Sequence, residues 1–145
     1  MRVLQSAEFF YCGIYSFQVI TAINYRKAEK KAMWIIRKLT IQILHYEFLG
    51  PIRLIEWGPP MEKVVYIILS RKEDRFNIIF ADQCEKTEKD DFFTENEKFK
   101  CWVSHAGSKN EIYLSIFPLW DSQENERKRI VDKIILRYKP TCNME

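Results

Sequence analysis

One short run of residues limits the fold more than any other part of this sequence. Residues 64–69 read VVYIIL, six consecutive apolar side chains that lie between charged segments. A strand directs successive side chains to opposite faces of its sheet, so a strand without a polar position needs cover on both faces. We therefore predict a central strand here, buried on both sides.

Several other short segments are rich in isoleucine, valine and aromatic residues and are bounded by turn residues. Together with the central run they predict strands at residues 17–23, 52–57, 62–69, 75–82, 99–105 and 111–117. The charged link at 70–75 and the AGSKN link at 106–110 are typical of hairpin loops. Successive strands are therefore predicted to pair antiparallel.

A long helix is predicted over residues 25–50, between Asn24 as N-cap and a stop at Gly50 and Pro51. Its apolar side chains first follow the 3.6-residue period. From residue 33 onward they spread beyond a single stripe. That half is expected to lie between two layers or to form a homodimer contact.

A second helix is predicted over residues 121–140, where Asp121 and Glu124 have the spacing of a capping box. The length of 145 residues and the 47% hydrophobic content predict one domain over residues 1–145. The expected fold class is α+β. It comprises a mostly antiparallel sheet of five to six strands, the long helix after the first strand, and the C-terminal helix packed on the sheet.

The four cysteines, Cys12, Cys84, Cys101 and Cys142, are far apart in sequence and show no CxxC motif. They also show no zinc-ligand spacing with the two histidines, His45 and His105. The first residues lack a signal-peptide pattern, and no apolar run reaches membrane-spanning length. We therefore expect free thiols, a cytoplasmic location, no membrane contact, and neither a metal nor another cofactor.

Cys101 precedes His105 by four residues, which raises the question of a thiol nucleophile with its base. In the predicted strand these side chains share a face but lie roughly 13 Å apart, too far for direct proton transfer. Metalloprotease, hydrolase and phosphate-loop motifs are absent from the sequence. The chain is thus predicted not to be an enzyme. A thiol-dependent enzyme, with Cys101 or Cys12 meeting a distant histidine, is kept as an alternative.

The segment 84–99 combines many carboxylates with two adjacent phenylalanines. In one interpretation, one or both rings plug the core beneath a long connection. In the other, the carboxylates steer a basic protein partner and an aromatic ring anchors it. The candidate partner-binding residues are Glu85, Glu88, Asp90, Asp91, Phe92, Phe93, Glu95 and Glu97.

The predicted helix is basic over residues 25–38, which supports a second hypothesis of nucleic-acid binding. Its candidate residues are Arg26, Lys27, Lys30, Lys31 and Trp34. A solvated helix face explains the same charges, and no base-reading motif accompanies them.

Balanced charge and the acidic aromatic segment favour a small, non-enzymatic, cytoplasmic protein-binding module. The net charge is only +3, which does not by itself indicate a nucleic-acid or membrane partner. An immunity protein that neutralises a basic, nuclease-like toxin is a concrete example. Such toxins have basic phosphate-binding clefts, which an acidic loop is suited to occupy.

Overall fold

A computed structural model describes residues 40–57, 60–87 and 91–145. These residues form one five-stranded antiparallel sheet and three helices. The strands are β1 (Thr40–Ile43), β2 (Tyr46–Arg53), β3 (Glu62–Lys72), β4 (Arg75–Lys86) and β5 (Ile112–Pro118). The helices are α1 (Phe99–Ala106), α2 (Glu124–Tyr138) and the short α3 (Thr141–Met144). The strand order β1-β2-β5-β3-β4 places β4 at an edge of this sheet.

The apolar run lies in β3 and is covered on both faces, as predicted. The even-numbered residues from 64 to 68 pack in a cluster with Trp102 of α1. The odd-numbered residues from 65 to 69 pack on the opposite face with Ile134 of α2. Trp102 and Ile134 are both 0% exposed, so each helix closes one half of the core.

The predictions for β3, β4, β5 and α2 are confirmed. Lys72 pairs with Arg75, which leaves Glu73 and Asp74 as the turn of the β3–β4 hairpin. The capping box of α2 lies two residues later than predicted. Gln123 is the N-cap, and its backbone N–H donates to the side chain of Glu126 at 2.9 Å.

The helix predicted over residues 25–50 is wrong in its second half, because residues 40–53 form the β1–β2 hairpin. The β-branched side chains at 40, 41 and 43 favour extended backbone, and Leu44 turns the chain with a φ of 58°. Ile41 and Phe48, which belong to the apolar surface that exceeded one helical stripe, lie in these strands. Residues 25–39 and the predicted strand 17–23 lie outside the described residues. A six-strand count is thus not supported.

Two other predicted strands are corrected. Of residues 52–57, the first two end β2 and Leu54–Glu56 form a 3-10 turn. Residues 99–105 form α1 instead of a strand. Gly107 ends α1 in the left-handed region and donates its N–H to the carbonyl of Val103 at 2.9 Å. The AGSKN segment is therefore a helix end, and the chain crosses the α1 face before β5 inserts between β2 and β3.

Gly50 lies where β2 approaches β5 most closely. Its φ is +103°, a backbone conformation that residues other than glycine rarely adopt. A Cβ atom at this position would lie 2.7 Å from the main-chain oxygen of Leu114. Glycine is therefore required here both for backbone conformation and for space.

We expect Gly50→Ala to lower the free energy of unfolding by about 3–5 kcal/mol, since it adds a backbone clash to the positive φ. Gly107→Ala is the matched control, because Gly107 has a φ of +94° but no atom within 4 Å of the added Cβ. It should cost only about 1–2 kcal/mol. Urea unfolding of both variants measures the difference, and equal losses would contradict the proposed close approach.

Candidate functional site

A groove of about 560 Å³ opens beside the outer edge of β4, between α2 and the segment that precedes α1. We call it the edge groove. Its charged lining consists of three carboxylates and two lysines, and its remaining lining is apolar or amide. The lining residues are Phe80, Ala81, Asp82, Asn96, Glu97, Lys98, Lys128, Val131, Asp132, Ile135 and Asn143.

Asp82 is the least exposed of the three carboxylates that line the edge groove. Its carboxyl group is half-buried, and burial raises its pKa above the ordinary value of 3.8. The N–H of Gln83, which donates to Oδ1 at 2.8 Å, and the charge of Lys128 offset this effect in part. No described lysine, arginine or histidine lies within ion-pair distance of Asp82. The groove thus holds a poorly solvated carboxylate without a direct cationic contact in the described residues.

The side chain of Asn143 on α3 covers β4 at Ala81. The N–H of Ala81 donates to Oδ1 of Asn143 at 2.8 Å, and Nδ2 donates back to the carbonyl of Ala81 at 2.9 Å. One side-chain amide therefore satisfies both main-chain groups of an edge-strand residue. This pair fixes α3 at the end of the groove.

The opposite side of α3 joins a second cluster, which we call the thiol cluster. It consists of Cys101 and His105 of α1 together with Cys142 and Glu145, and one ligand atom from each lies within 4.8 Å of the other three. Cys101 and Cys142 form a disulfide. His105 Nε2 lies 2.9 Å from Glu145 Oε2.

The disulfide overturns the expectation that all thiols are free. The helical conformation of α1 overturns the separation inferred for Cys101 and His105. A helix brings residues four apart onto one face, one turn from each other. Cys84 is a free, buried thiol, and burial raises its pKa to about 12. Cys12 lies outside the described residues.

The two phenylalanines of the acidic segment belong to the core, as the first of the two interpretations has it. Phe93 is 8% exposed and Phe92 is half-buried. Their rings lie 5.5 Å and 6.2 Å from the ring of Tyr66 in β3. Phe93 is thus not an exposed anchor, and Phe92 has only part of its ring at the surface.

The candidate carboxylates have different surroundings. Glu85 is hydrogen-bonded to Arg127, whose side chain is 0% exposed. Asp91 and Glu95 are exposed and adjacent, and a hydrogen bond with Asp91 and its charge raise the pKa of Glu95. Glu97 lines the edge groove. Glu88 and Asp90 lie outside the described residues.

Arg127 fastens the start of α2 to β4, and each of its three side-chain nitrogens has a polar partner. Its Nε donates to Gln83 at 2.9 Å, and its Nη1 donates to the carbonyl and hydroxyl oxygens of Ser122 at 3.0 and 2.9 Å. Its Nη2 donates to Glu85. Glu85 therefore has a structural role in the described fold.

Asp82 and Asp132 were not found by sequence analysis. Asp82 ends a predicted strand, and Asp132 is an exposed residue of a predicted amphipathic helix. No local pattern connects them, because the packing of α2 on β4 alone brings them into one groove. The nucleic-acid candidates Arg26, Lys27, Lys30, Lys31 and Trp34 all lie outside the described residues.

Comparisons with protein-family models, with curated proteins and with solved structures find no match to this chain. Within residues 40–57, 60–87 and 91–145, no helix is both long and apolar enough to cross a membrane. The candidate sites therefore depend on geometry alone.

Replacing Asp82 by asparagine should raise the free energy of unfolding at about pH 7. The folded-state pKa is raised, so ionisation of Asp82 disfavours the fold once the pH exceeds the ordinary value, and the penalty persists above the folded-state pKa. Asparagine keeps the acceptor for the N–H of Gln83. The gain should vanish at about pH 3, where the carboxyl is protonated in both states.

Urea unfolding at both pH values measures this effect. Asp74→Asn is the control, since its side chain is fully exposed in the β3–β4 turn and its one ion pair among the described residues is with Arg71 at 3.8 Å. It should change stability by less than about 0.5 kcal/mol at either pH. A loss of stability for Asp82→Asn at about pH 7 would contradict the burial effect.

Proposed function

We propose that this chain is a non-enzymatic protein-binding domain that receives a basic side chain of a protein partner in the edge groove. The observation that carries this proposal is the half-buried Asp82 carboxylate, which lines the groove together with Glu97 and Asp132. Burying a carboxylate is unfavourable unless a cation or several hydrogen-bond donors compensate it. An arginine or lysine from a partner supplies that cation.

The shape of the groove is consistent with this ligand. Its volume of about 560 Å³ suits a long side chain and part of the neighbouring backbone. Apolar groups from Phe80, Val131 and Ile135 line it, and they can pack against the methylene stem of an arginine or lysine while the carboxylates bind its head group.

Surface charge supports the same partner class. Asp91 and Glu95 lie on the same segment as Glu97. The side chains of Asp91 and Glu95 are close together, and the hydrogen bond and charge repulsion between them raise the pKa of Glu95. Such exposed carboxylates accelerate the approach of a basic partner more than they strengthen the final complex. The present proposal keeps the acidic recognition surface predicted from the sequence. The edge groove takes the place of the aromatic ring as the part that anchors the partner.

Among basic partners we favour a nuclease-like toxin, which this domain would neutralise as an immunity protein in the cytoplasm. The supporting chemistry is charge complementarity between the carboxylates and a phosphate-binding cleft rich in arginine and lysine. Disulfides are rare in the cytoplasm, so a cytoplasmic location implies that the Cys101–Cys142 pair is reduced there.

The thiol-dependent enzyme receives less support from the described cysteines. In the disulfide form Cys101 carries no thiolate, so a reaction that uses it would require prior reduction of the bond to Cys142. Cys84 is buried with a raised pKa, which is the opposite of what an activated nucleophile needs.

The test measures binding of short, fluorescently labelled peptides that are rich in arginine, lysine, serine or glutamate. The groove variant combines Asp82→Asn, Glu97→Gln and Asp132→Asn. The matched control combines Asp74→Asn, Glu62→Gln and Glu56→Gln, three exposed carboxylates that do not line the groove. Both variants remove the same charge, so they separate a local site from general attraction.

We expect the basic peptides to bind, the groove variant to bind them at least about 10-fold more weakly, and the control to resemble the unmodified chain. Equal weakening in both variants would reject the groove as a site. A labelled single-stranded DNA serves as a further probe. Its binding with the same affinity in all three proteins, together with no peptide binding, would favour the nucleic-acid hypothesis instead.

A further inference from the structure

The thiol cluster has a composition and a geometry that the proposed protein-binding function does not use. We propose that Cys101, His105, Cys142 and Glu145 form an exchangeable zinc site, of which the Cys101–Cys142 disulfide is the oxidised, metal-free form. Thiolate sulfur, imidazole nitrogen and carboxylate oxygen are the three protein ligand types that Zn²⁺ takes up.

Two distances in the cluster come near those of a tetrahedral site, whereas the two sulfurs are bonded to each other and must separate before they can bind a metal. Zinc bonds of about 2.0–2.3 Å place neighbouring ligand atoms about 3.3–3.8 Å apart. Here His105 Nε2 lies 2.9 Å and Cys101 Sγ lies 3.5 Å from Glu145 Oε2. All four ligand atoms lie within 4.8 Å of one another. After reduction, side-chain rotation of the two cysteines can separate the sulfurs and admit the metal.

Local helical structure supplies the ligands in two pairs. Cys101 and His105 are four residues apart on α1, and Cys142 and Glu145 are three apart at α3, so each pair comes from about one helical turn. Lys98 Nζ donates to the main-chain oxygen of Glu145, which holds the second pair beside α1. The site is thus assembled by two elements that the fold already places together.

Burial gives the cluster one closed and one open side. Cys142 is 0% exposed and packs in the core on the α1 face. His105 and Glu145 are exposed, with side chains 36% and 60% accessible. A metal ion can therefore enter from solvent at the His105 side, while the Cys142 side excludes water.

A dithiol can supply the electrons and protons that convert the metal-free disulfide form into the reduced form, which then binds zinc. The disulfide takes two electrons and two protons from the dithiol, which itself becomes a disulfide, and Zn²⁺ then displaces the two thiol protons. In the reverse direction, hydrogen peroxide takes two electrons from the bound thiolates and two protons from the buffer. The sulfurs join, Zn²⁺ leaves, and two water molecules form.

The experiment measures Zn²⁺ binding by chain that has been reduced with a phosphine and by chain that retains its disulfide, with a chromophoric chelator as competitor. Co²⁺ replaces Zn²⁺ in a parallel titration, because its absorption reports tetrahedral geometry and thiolate ligation. We expect one Zn²⁺ per reduced chain, no binding by the oxidised chain, and release of Zn²⁺ on addition of hydrogen peroxide.

Two variants separate metal binding from the disulfide and from folding. His105→Ala and Glu145→Gln remove ligands but leave both cysteines, so each should still form the disulfide while binding Zn²⁺ at least about 10–100-fold more weakly, the range seen even for residues that merely support ligands. His45→Ala is the matched control, because His45 is an exposed histidine in the β1–β2 turn, outside the cluster. It should bind like the unmodified chain.

Zinc binding that is unchanged by His105→Ala and Glu145→Gln would overturn the proposal, as would less than one tenth of a Zn²⁺ per reduced chain. Circular dichroism of each reduced variant confirms that the fold is retained. The measurement uses no peptide. Failure here therefore leaves the edge-groove proposal standing, and failure of the groove assay leaves this one standing.

Discussion

The need of β3 for cover on both of its faces determines on which side of the sheet each of the two longer helices lies. Its apolar residues leave no face for solvent, so one helix is needed above the sheet and another below. α1 meets the first demand while the chain crosses from β4 to β5, and α2 meets the second after β5 ends. The edge groove lies where α2 packs beside the outer strand β4, and the thiol cluster lies where α1 meets α3.

The hydrogen bonds of Arg127 fix the position of α2 relative to β4, and these two elements line the edge groove. A buried guanidinium is costly unless it is paired and hydrogen-bonded, and here Gln83, Ser122 and Glu85 accept hydrogen bonds from its three nitrogens. The contact holds the first turn of α2 against β4. Lys128 and Asp132 follow Arg127 on the same helix, so their distance from Asp82 is set by a contact that lies outside the groove.

The parts of the fold that sequence analysis predicted correctly are those with a decisive local signal. The helical spacing of α2 indicates a helix, and the short length and the valine and isoleucine content of the β3 run favour a strand. Residues 40–53 and 99–105 are short apolar segments that suit either a strand or a helix, and tertiary contacts decide between them. For residues 99–105 the deciding contact is the burial of Trp102 over the sheet.

The candidate sites were less predictable than the fold for a related reason. The thiol cluster joins residues 41 positions apart, and the groove joins Asp82 to Asp132, so neither produces a local motif. The acidic segment was visible in the sequence, but whether its phenylalanines face solvent or core was not. That depended on Tyr66, which lies on a strand more than twenty residues away.

The pairing of Asn143 with Ala81 also bears on self-association. An edge strand of twelve residues is a template on which an extended segment of another molecule can be added, and polymerisation by strand addition begins at such edges. The amide of Asn143 already occupies one pair of main-chain groups near the middle of β4, and Cys142 beside it is covalently tied to α1. In the disulfide form, the cross-link between α1 and α3 thereby helps to hold a cap that blocks strand addition at this point of the edge.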